Sequence, residues 1–595
     1  MNKYKSRSEV PEKYKWDLTD FYKDEEDYNN NFNIFKEKIE KAKEYIGCTK
    51  DSDKLYEFLN YLFDTFSIGE DLYVYAYLKN DEELGNSKSI DRLNKIQNLF
   101  DEFCNSISFF DEELLKLSKE EYKLLFDNKK LDDYKYHLDE IYKNKDHILS
   151  EKEEIIVNQL NNAMNHFEEI SSNLLNNEHN YGTVIIDGEE EEIHSTNYSK
   201  IMKNKDRNVR KEAFKKYKSV LDQYGGTSAS LLDSYVKANN TNAKIHNFKN
   251  AWERKLFDYE MPNEAYEALV NTVTNNLDVL HKYFSLYKDR FNLDELHLYD
   301  VTLDLANSNK KYSIEDAISL IRKAIKPLGE EYLKCYDKII DNHYIDFCEY
   351  KGKCSGGYSC STPTHDSRIL LSYNEDLSSV STIAHECGHN VHHQFVKKNN
   401  LLHYRDVPNI VAEVVSLTNE CLLSSYLATN GDTKEERLSG IANILDVIEN
   451  NLFGAVREGK MECDFNKYSC DGNAITKDYM NELDGESIKK FFGNEVLLDD
   501  YYNTTWVRRS HFYMNYYLYN YAFCISVASS VASKILKNDK DMLDKYIKFI
   551  SLGSNMPPKD AFKVLGIDLT KEEVYEDAIK YFDSLIEEFK KISKE

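Results

Sequence analysis

Proline and glycine are scarce in this sequence, which has 7 prolines and 21 glycines among 595 residues. Because both residues interrupt helices, their scarcity predicts long helices with few turns between them. The chain also lacks any run of about 18 uninterrupted apolar residues, so no membrane span is predicted. Residues 1–20 contain no apolar segment and no cleavage site of a secretory signal, which favours a cytoplasmic protein.

Paired cysteines and an excess of positive charge are lacking as well. The 11 cysteines are scattered from Cys48 to Cys524 without the CxxC pairs of a zinc ribbon, and their odd number favours free thiols in a reducing compartment. The formal net charge is −27, which argues against nucleic acids and anionic membranes as partners. No pattern in the sequence determines the oligomeric state.

Most of the chain has the pattern of α-helices. Residues 17–180 repeat apolar and aromatic residues at helical spacing, with acidic residues between them. Ser118 and Glu121 have the spacing of a capping box at the start of one of these helices. Aromatic stripes of this kind usually form a core, so we expect a mostly α-helical fold.

The pattern changes at residues 181–200, where two short β-prone runs flank Asp187-Gly188. A two-residue Asp-Gly connection between such runs predicts a β-hairpin. Helical patterns resume after it. We therefore expect an N-terminal helical domain over residues 1–200 and a second domain over residues 201–595.

The decapeptide STIAHECGHN, residues 381–390, contains the pattern HExxH. On a helix, His385 and His389 lie one turn apart on the same face, close enough to bind one metal ion. Glu386 lies at the edge of that face, where a carboxylate can take a proton from an activated water. Gly388 lacks a side chain within this helix, which suggests close packing or passage of substrate. A chance match to so short a pattern is expected on the order of a few per cent of the time, so a third ligand is needed.

Glu413 is the candidate third ligand. It follows His389 by 24 residues, in the apolar stretch NIVAEVVSL that comes just after the helix-start signals Asp406 and Pro408. A carboxylate among valines and leucines is costly to bury unless it is paired, and a metal ion removes that cost. A surface position for this glutamate is the alternative.

Neighbouring residues have other expected roles. Cys387 should point away from the metal as a small buried residue. His392 and His393 should pack or support the ligands rather than bind the ion. Glu420, seven residues after Glu413, lies on the same helical face and either hydrogen-bonds a ligand histidine or is solvated.

Taken together, these motifs resemble those of peptidase family M3 and, within it, the oligoendopeptidase F group of thimet oligopeptidase-like zinc metallopeptidases. The resemblance runs through most of the chain in five segments, which are EVPEKYKWDLTDFY (9–22), GKCSGGYS (352–359), RILLSYNEDLSSVSTIAHECGH (368–389), VAEVVSLTNE (411–420) and TWVRRSHFYMNYYLYNYA (505–522).

The resemblance implies a mostly α-helical, two-lobed ellipsoid with a deep central channel and a small β-sheet near the zinc site. It implies one zinc ion per chain, bound by His385, His389 and Glu413, with Glu386 as the catalytic base. Residues 201–595 would then form the catalytic domain.

Residues 511–521, HFYMNYYLYNY, place five tyrosines close to His511. An ordinary helical core contains fewer tyrosines, so this density suggests hydroxyl donors that line a cavity. By the resemblance, a histidine and tyrosines of this segment stabilise the oxyanion that develops in acyl transfer. We expect His511, Tyr516 and Tyr519 to have this role. Aromatic core packing is the alternative for each tyrosine.

Together with the resemblance, these residues predict a zinc-dependent metalloendopeptidase that hydrolyses internal peptide bonds, and the resemblance implies that its substrates are short peptides. Residues 368–373 are expected to offer a sheet edge to an extended peptide. Gly352, Gly356 and Gly357 form either a flap over the peptide or a rigid loop. Two alternatives stay open, namely a peptidyl dipeptidase or carboxypeptidase with the same ligands, and a non-catalytic peptide-binding protein, which would have no use for Glu386.

Overall fold

The computed structural model describes residues 4–164, 166–176, 179–306, 308 and 310–595. α-Helices contain most of these residues, and the strands among them form three small sheets. The sequence prediction of a mostly α-helical fold with little β-structure is confirmed.

The α-helices are α1 Glu25–Lys41, α2 Ser52–Glu82, α3 Ser87–Ile107, α4 Phe109–Lys116, α5 Lys119–Leu124, α6 Lys135–Tyr142, α7 Glu151–Met164, α8 Phe167–Asn176, α9 Tyr198–Ile201, α10 Arg207–Ile245, α11 Ala251–Tyr259, α12 Asn263–Asn275, α13 Leu277–Phe291, α14 Ile314–Ala324, α15 Glu330–Asp341, α16 Leu377–Asn399, α17 Asn409–Asn430, α18 Lys434–Ile448, α19 Ala455–Cys470, α20 Lys477–Phe492, α21 Leu518–Leu536, α22 Lys540–Phe549, α23 Pro558–Val564 and α24 Glu573–Lys594. The strands are β1 Thr183–Ile186, β2 Glu189–Glu192, β3 Leu296–His297, β4 Ile345–Asp346, β5 Tyr358–Cys360, β6 Arg368–Leu370 and β7 Val496–Leu497.

Side-chain caps fix several helix starts. Asp51 caps α2 by accepting hydrogen bonds from the backbone N–H groups of Asp53 and Lys54. The capping box predicted for Ser118 and Glu121 is confirmed at the start of α5. Such caps satisfy N–H groups that the first turn of a helix leaves without partners, so they determine where each helix begins.

Contacts divide the chain into two compact units, each assembled from three segments. Unit 1 comprises Met1–Asp146, Lys310–Leu423 and Ile535–Gly566, and unit 2 comprises His147–Asn309, Ser424–Lys534 and Ile567–Glu595. The domain boundary near residue 200 that the sequence suggests stays a prediction.

Aromatic side chains of α1, α2 and α3 form much of the core of unit 1. Phe35, Phe58 and Phe103 have no exposed surface. The rings of Phe58 and Phe110 lie 4.8 Å apart between centroids. The aromatic stripes of this region are therefore core, as the sequence predicts.

A three-stranded sheet of unit 1 lies beside α16, in the order β4-β6-β5. β6 pairs in parallel with β4 and antiparallel with β5, so both of its edges are occupied. The expectation that residues 368–373 offer a free sheet edge is wrong, because the short strand β4 covers the second edge of β6. β5 is an outer strand of this sheet.

Unit 2 is organised around the 39-residue helix α10. The ring of Tyr217 on α10 stacks against Tyr181 and Tyr198, with centroids 4.4 and 3.9 Å away. Strands β1 and β2 form the predicted hairpin, in which Asp187 and Gly188 have φ values of 54° and 89°. Positive φ at both positions is the geometry that an Asp-Gly turn favours.

Among the residues that the structure describes, one helix, α17, is long and apolar enough to cross a membrane by length and composition alone, but 78% of its most apolar window is buried within the protein. That burial is typical of a core helix.

Candidate active site

Helix α16 and the first part of α17, both in unit 1, approach each other closely at Gly388. A Cβ atom added to Gly388 would lie 2.7 Å from Ser416 Cα and 3.2 Å from Asn419 Nδ2. Since such distances are shorter than van der Waals contact, only glycine permits this approach. Of the two roles suggested for Gly388, the structure shows close packing.

Asn419 of α17 fixes the relative position of these helices. Its side-chain amide donates to the carbonyl of Ala384 on α16 at 3.0 Å, and its Oδ1 accepts from the hydroxyl of Tyr332 on α15 at 2.8 Å. All three residues are fully buried. Buried hydrogen bonds of this kind are costly to break, so they hold α15, α16 and α17 in one arrangement.

The predicted ligands His385, His389 and Glu413 converge. The Nε2 atoms of the two histidines lie 3.2 Å apart. Glu413 places one carboxylate oxygen 3.5 Å from His385 Nε2 and the other 3.8 Å from His389 Nε2. One ligand atom from each residue lies within 4.8 Å of the other two, so the three side chains form a candidate metal site.

Glu420 orients His385. Its Oε1 lies 2.8 Å from His385 Nδ1, and its Oε2 accepts from the hydroxyl of Ser381 at 2.7 Å. With the proton on Nδ1 directed to this carboxylate, the Nε2 lone pair of His385 faces His389 and Glu413. Of the two roles suggested for Glu420, the structure shows the hydrogen bond to a ligand histidine, an arrangement typical of metal sites.

Several carboxylates lie close to the histidines of the site, and the pKa values of both histidines are shifted. Burial disfavours the charged form of His385, but the hydrogen bond to Glu420 and the nearby carboxylates outweigh it and raise its pKa to about 9. Burial and the neighbouring positive charge of His385 hold the pKa of His389 well below its usual range. Metal binding requires neutral imidazoles, so a divalent cation bound at Nε2 of both rings would displace any proton held there.

Glu386 lies beside the ligands in a cavity of about 400 Å³. Its side chain is only 8% exposed. Burial, with a contribution from Glu413 and Glu420, raises its pKa to about 7. A carboxylate with a pKa near neutrality is suited to accept and return a proton at physiological pH.

Three further residues of α16 have no ligand atoms in the candidate metal group. Cys387 is fully buried, as expected of a small core residue. His392 and His393 line the cavity, are 1% and 7% exposed, and are held neutral because burial lowers their pKa values to about 3 and 4.

His511, Tyr516 and Tyr519 belong to unit 2. His511 is partly exposed, and its Nε2 lies 3.3 Å from the hydroxyl of Tyr521. Tyr516 and Tyr519 are 3% and 2% exposed, and their rings pack edge-on against Trp252. These two tyrosines line a cavity of unit 2 of about 710 Å³. A contact of any of the three predicted donors with the reacting atoms stays a prediction.

The backbone between His511 and α21 is not a continuous helix. Asn515 and Tyr516 have φ values of 49° and 62°, and α21 begins only at Leu518. The N–H of Tyr516 donates to the buried Glu462 at 2.6 Å, which stabilises this left-handed conformation. Counting helical turns from His511 therefore does not predict which tyrosine lies beside it.

A family model described as peptidase family M3 matches residues 200–581, and one described as oligopeptidase F matches residues 113–180. The first match covers more than half of the chain. The chain belongs to peptidase family M3. The resemblance noted from the sequence motifs is thereby confirmed, and with it the prediction that the protein is a metallopeptidase.

Individual relatives and solved structures are consistent with this family assignment. Oligopeptidase PepF of Bacillus subtilis is 31% identical over 99% of this chain and 89% of its own length. A solved structure from Chlamydophila abortus is 28% identical, covers 99% of this chain and all of its own, and has a TM-score of 0.92. Oligoendopeptidase-F from Enterococcus faecium is 25% identical, with 96% and 99% coverage and a TM-score of 0.72.

The sequence analysis missed Ser381 and Asn419. Ser381 lies four residues before His385, one turn along the same helical face, so the spacing itself is the signal for its contact with Glu420. Asn419 stands within the apolar helix α17, where a buried amide needs partners. Its partners on α15 and α16 are separated from it by 35 or more residues.

Gly388→Ala should weaken metal binding by about tenfold or more, because the added methyl group forces α16 away from Ser416 and separates the histidines from Glu413. Competition with a chromophoric zinc chelator measures this affinity. Gly226→Ala in α10 is the matched control, since a Cβ at Gly226 meets no atom within 4 Å. Unchanged zinc affinity in the Gly388 variant would show that this contact does not position the ligands.

Glu420→Gln should lower zinc affinity by about 10- to 100-fold, because a neutral amide stabilises the His385 tautomer less than a carboxylate does. The same chelator competition measures the effect. Ser381→Ala leaves the bond between Glu420 and His385 in place and should cause a smaller loss. Equal affinities of Glu420→Gln and the wild type would contradict the orienting role of Glu420.

Proposed function

We propose that this member of family M3 is a zinc-dependent endopeptidase that hydrolyses internal bonds of short oligopeptides. The convergence of His385, His389 and Glu413 on one point, with Glu386 beside them in the same cavity, is the observation that carries the proposal. The names of its relatives support it, since they are an oligopeptidase in Bacillus subtilis and an oligoendopeptidase in Enterococcus faecium.

The three ligand residues fit zinc. Two imidazoles and one carboxylate are a ligand set of catalytic zinc sites, which keep a fourth position open. Glu420 accepts a hydrogen bond from Nδ1 of His385, which leaves Nε2 of that ring available as a ligand. The Nε2 atoms of His385 and His389 face each other, so both are directed to one point. A zinc ion bound there supplies Lewis acidity, which lowers the pKa of a water and polarises the scissile carbonyl.

Glu386 is the proposed base and acid. It takes a proton from the attacking water as the new C–O bond forms, and it then gives that proton to the leaving amine as the C–N bond breaks. Its near-neutral pKa, which results from burial, suits both transfers. A structural metal site would have no need for this carboxylate.

β5 is the proposed docking strand for the peptide. It is an outer strand of its sheet, and Tyr358 and Ser359 line the cavity that contains Glu386. An extended peptide that pairs with the free edge of β5 would be held by backbone hydrogen bonds, which tolerate many side chains. The neighbouring loop is tied down because the carbonyl of Gly352 accepts from Leu84 N at 2.8 Å, which favours a rigid loop over a flap.

His511, Tyr516 and Tyr519 are the proposed donors to the oxyanion. The partial exposure of His511 supports its role, whereas the buried rings of Tyr516 and Tyr519 equally fit aromatic core packing. The cytoplasmic location and the absence of nucleic-acid and membrane partners also stay predictions.

Glu386→Gln should lower kcat by about 10²- to 10⁴-fold, because the amide cannot accept the proton of the attacking water. The assay is cleavage of an internally quenched peptide of about nine residues, blocked at both ends, with zinc content determined for each protein. The variant and the wild type should each hold about one zinc ion per chain.

The blocked ends of the peptide also distinguish an endopeptidase from the two alternative functions. An enzyme that needs a free C-terminus, such as a peptidyl dipeptidase, leaves the blocked peptide intact and cuts the unblocked one. A non-catalytic peptide-binding protein holds zinc and binds the peptide without turnover, and Glu386→Gln then changes nothing. Either result would replace the endopeptidase assignment.

His511→Ala should lower kcat by about 10²- to 10³-fold with little change in KM, since a donor to the oxyanion acts mainly in the transition state. Tyr516→Phe and Tyr519→Phe should each lower kcat in the same way, because only the hydroxyl is removed. Steady-state kinetics on the blocked peptide measures all three variants. A phenylalanine variant with wild-type kcat would assign that tyrosine to the core.

A further inference from the structure

A second cavity of unit 1, with a volume of about 650 Å³, adjoins the cavity that contains Glu386. The two cavities share four lining residues, which are Ser361, His393, Arg405 and Asp406. The remaining walls come from α2, α3, α4 and α6, the segment after β5, and the short helix Leu402–Tyr404. We call this space the side cavity.

The walls of the side cavity are largely apolar and neutral. Leu62, Phe63 and Phe66 of α2 line it, and the rings of His137 and His403 each lie 5.0 Å from the ring of Phe63. Burial lowers the pKa of His137 to about 4 and also lowers the pKa of His403, so both rings are uncharged at neutral pH. A hydrophobic stem can pack against these walls.

Three carboxylates, from Glu70, Asp111 and Asp406, line the same space. The Glu70 carboxylate has no hydrogen-bond or ion-pair partner in the part of the chain that the structure describes. Its pKa is raised to about 7 by burial and by the nearby charges of Asp406 and Asp71. A positive charge placed beside these groups would offset both burial and mutual repulsion.

Arg405 is the one cationic side chain among the residues lining the side cavity. Its Nη1 donates to the carbonyl of Pro363 at 2.9 Å and its Nε to the carbonyl of Asn400 at 3.2 Å. It is thus held by backbone oxygens, and the lining keeps an excess of negative charge.

His393 marks the place where the two cavities meet. It is 7% exposed, it lines both cavities, and its Nδ1 has no hydrogen-bond partner among the described residues. A buried polar atom without a partner is costly, so a polar group of a bound molecule would stabilise the protein at this atom. The peptide backbone passing from one cavity to the other would supply one.

We propose that the side cavity binds the side chain of a substrate residue that flanks the scissile bond, and that it selects a long cationic side chain, lysine or arginine. The aliphatic stem packs against Phe63 and Phe66, and the charged end pairs with Glu70 and Asp406. This specificity rests on the proposed peptide hydrolysis, because the side cavity reaches the substrate through the cavity of Glu386.

The test compares three series of blocked, internally quenched peptides that differ only at the two residues flanking the cleaved bond. One series carries lysine, one norleucine, which keeps the stem without the charge, and one glutamate. At one of the two positions, lysine should raise kcat/KM over norleucine by about tenfold or more, as expected for a charge-assisted hydrogen bond, and glutamate should be the poorest.

Glu70→Gln should lower the lysine-to-norleucine ratio of kcat/KM to about threefold or less, because the pairing charge is removed. Asp111→Asn, which removes the charge of the third carboxylate lining the side cavity, is a second variant that should lower the ratio in the same direction and guards against misfolding of the first. Glu57→Gln, at an exposed position of the same helix α2, is the matched control and should keep the wild-type ratio. Zinc content and circular dichroism verify the fold of each variant.

Peptide binding to zinc-loaded Glu386→Gln protein is measured by fluorescence anisotropy. This measurement distinguishes failure of the side-cavity proposal from failure of the proposed peptide hydrolysis. Cleavage with a lysine-to-norleucine ratio near one, or a ratio that Glu70→Gln leaves unchanged, overturns the side-cavity proposal and leaves peptide hydrolysis intact. Absence of cleavage with tight, Glu70-dependent binding of the lysine peptide supports the side cavity and overturns hydrolysis. A preference for norleucine or glutamate, or no binding at all, overturns the side-cavity proposal.

Discussion

The contact of α16 with α17 at Gly388 is the constraint on which the candidate active site depends. His385, Glu386 and His389 come from one helix and Glu413 and Glu420 from the other, so the distance between the helices sets the distance from each α16 group to the two α17 carboxylates. The missing side chain of Gly388 permits the approach, and the amide of Asn419 bonds to the opposite helix and holds it. Close packing at Gly388 and the hydrogen bond of Asn419 thus act together to set the geometry of the site.

The same contact explains the electrostatics of the site. Because the helices approach closely, two carboxylates of α17 lie against the histidines of α16 in a partly buried site. These groups lie close together, so the energy of each charge depends strongly on its charged neighbours. This arrangement raises the pKa of Glu386, lowers that of His389 and leaves a place for a divalent cation.

The sequence predicts the local features of this protein well. The ligand spacing follows from the periodicity of a helix, the hairpin from Asp187-Gly188, and the capping box from Ser118 and Glu121. Features that depend on distant partners could not be predicted. The two-residue strand β4 has too little pattern to detect, yet it occupies the edge of β6 that the sequence analysis left free.

Residues 511–521, which are rich in tyrosine, are a second example of structure that depends on distant partners and could not be predicted. Their pattern suggests a regular helix, but Asn515 and Tyr516 adopt left-handed backbone conformations, and the acceptor that stabilises them, Glu462, lies 54 residues earlier in the chain. The backbone conformation at Tyr516 is therefore set by a tertiary contact rather than by helical periodicity. The same holds for Asn419, whose donor Tyr332 lies 87 residues away.

The interleaving of the two units has a consequence for biosynthesis. Unit 1 needs residues 535–566 and unit 2 needs residues 567–595 before either has all its segments. Neither unit can complete its fold on the ribosome while the last part of the chain is still being made, and contacts between such distant segments form slowly. The histidine pair of α16 is thus synthesised well before residues 535–566, which complete its unit.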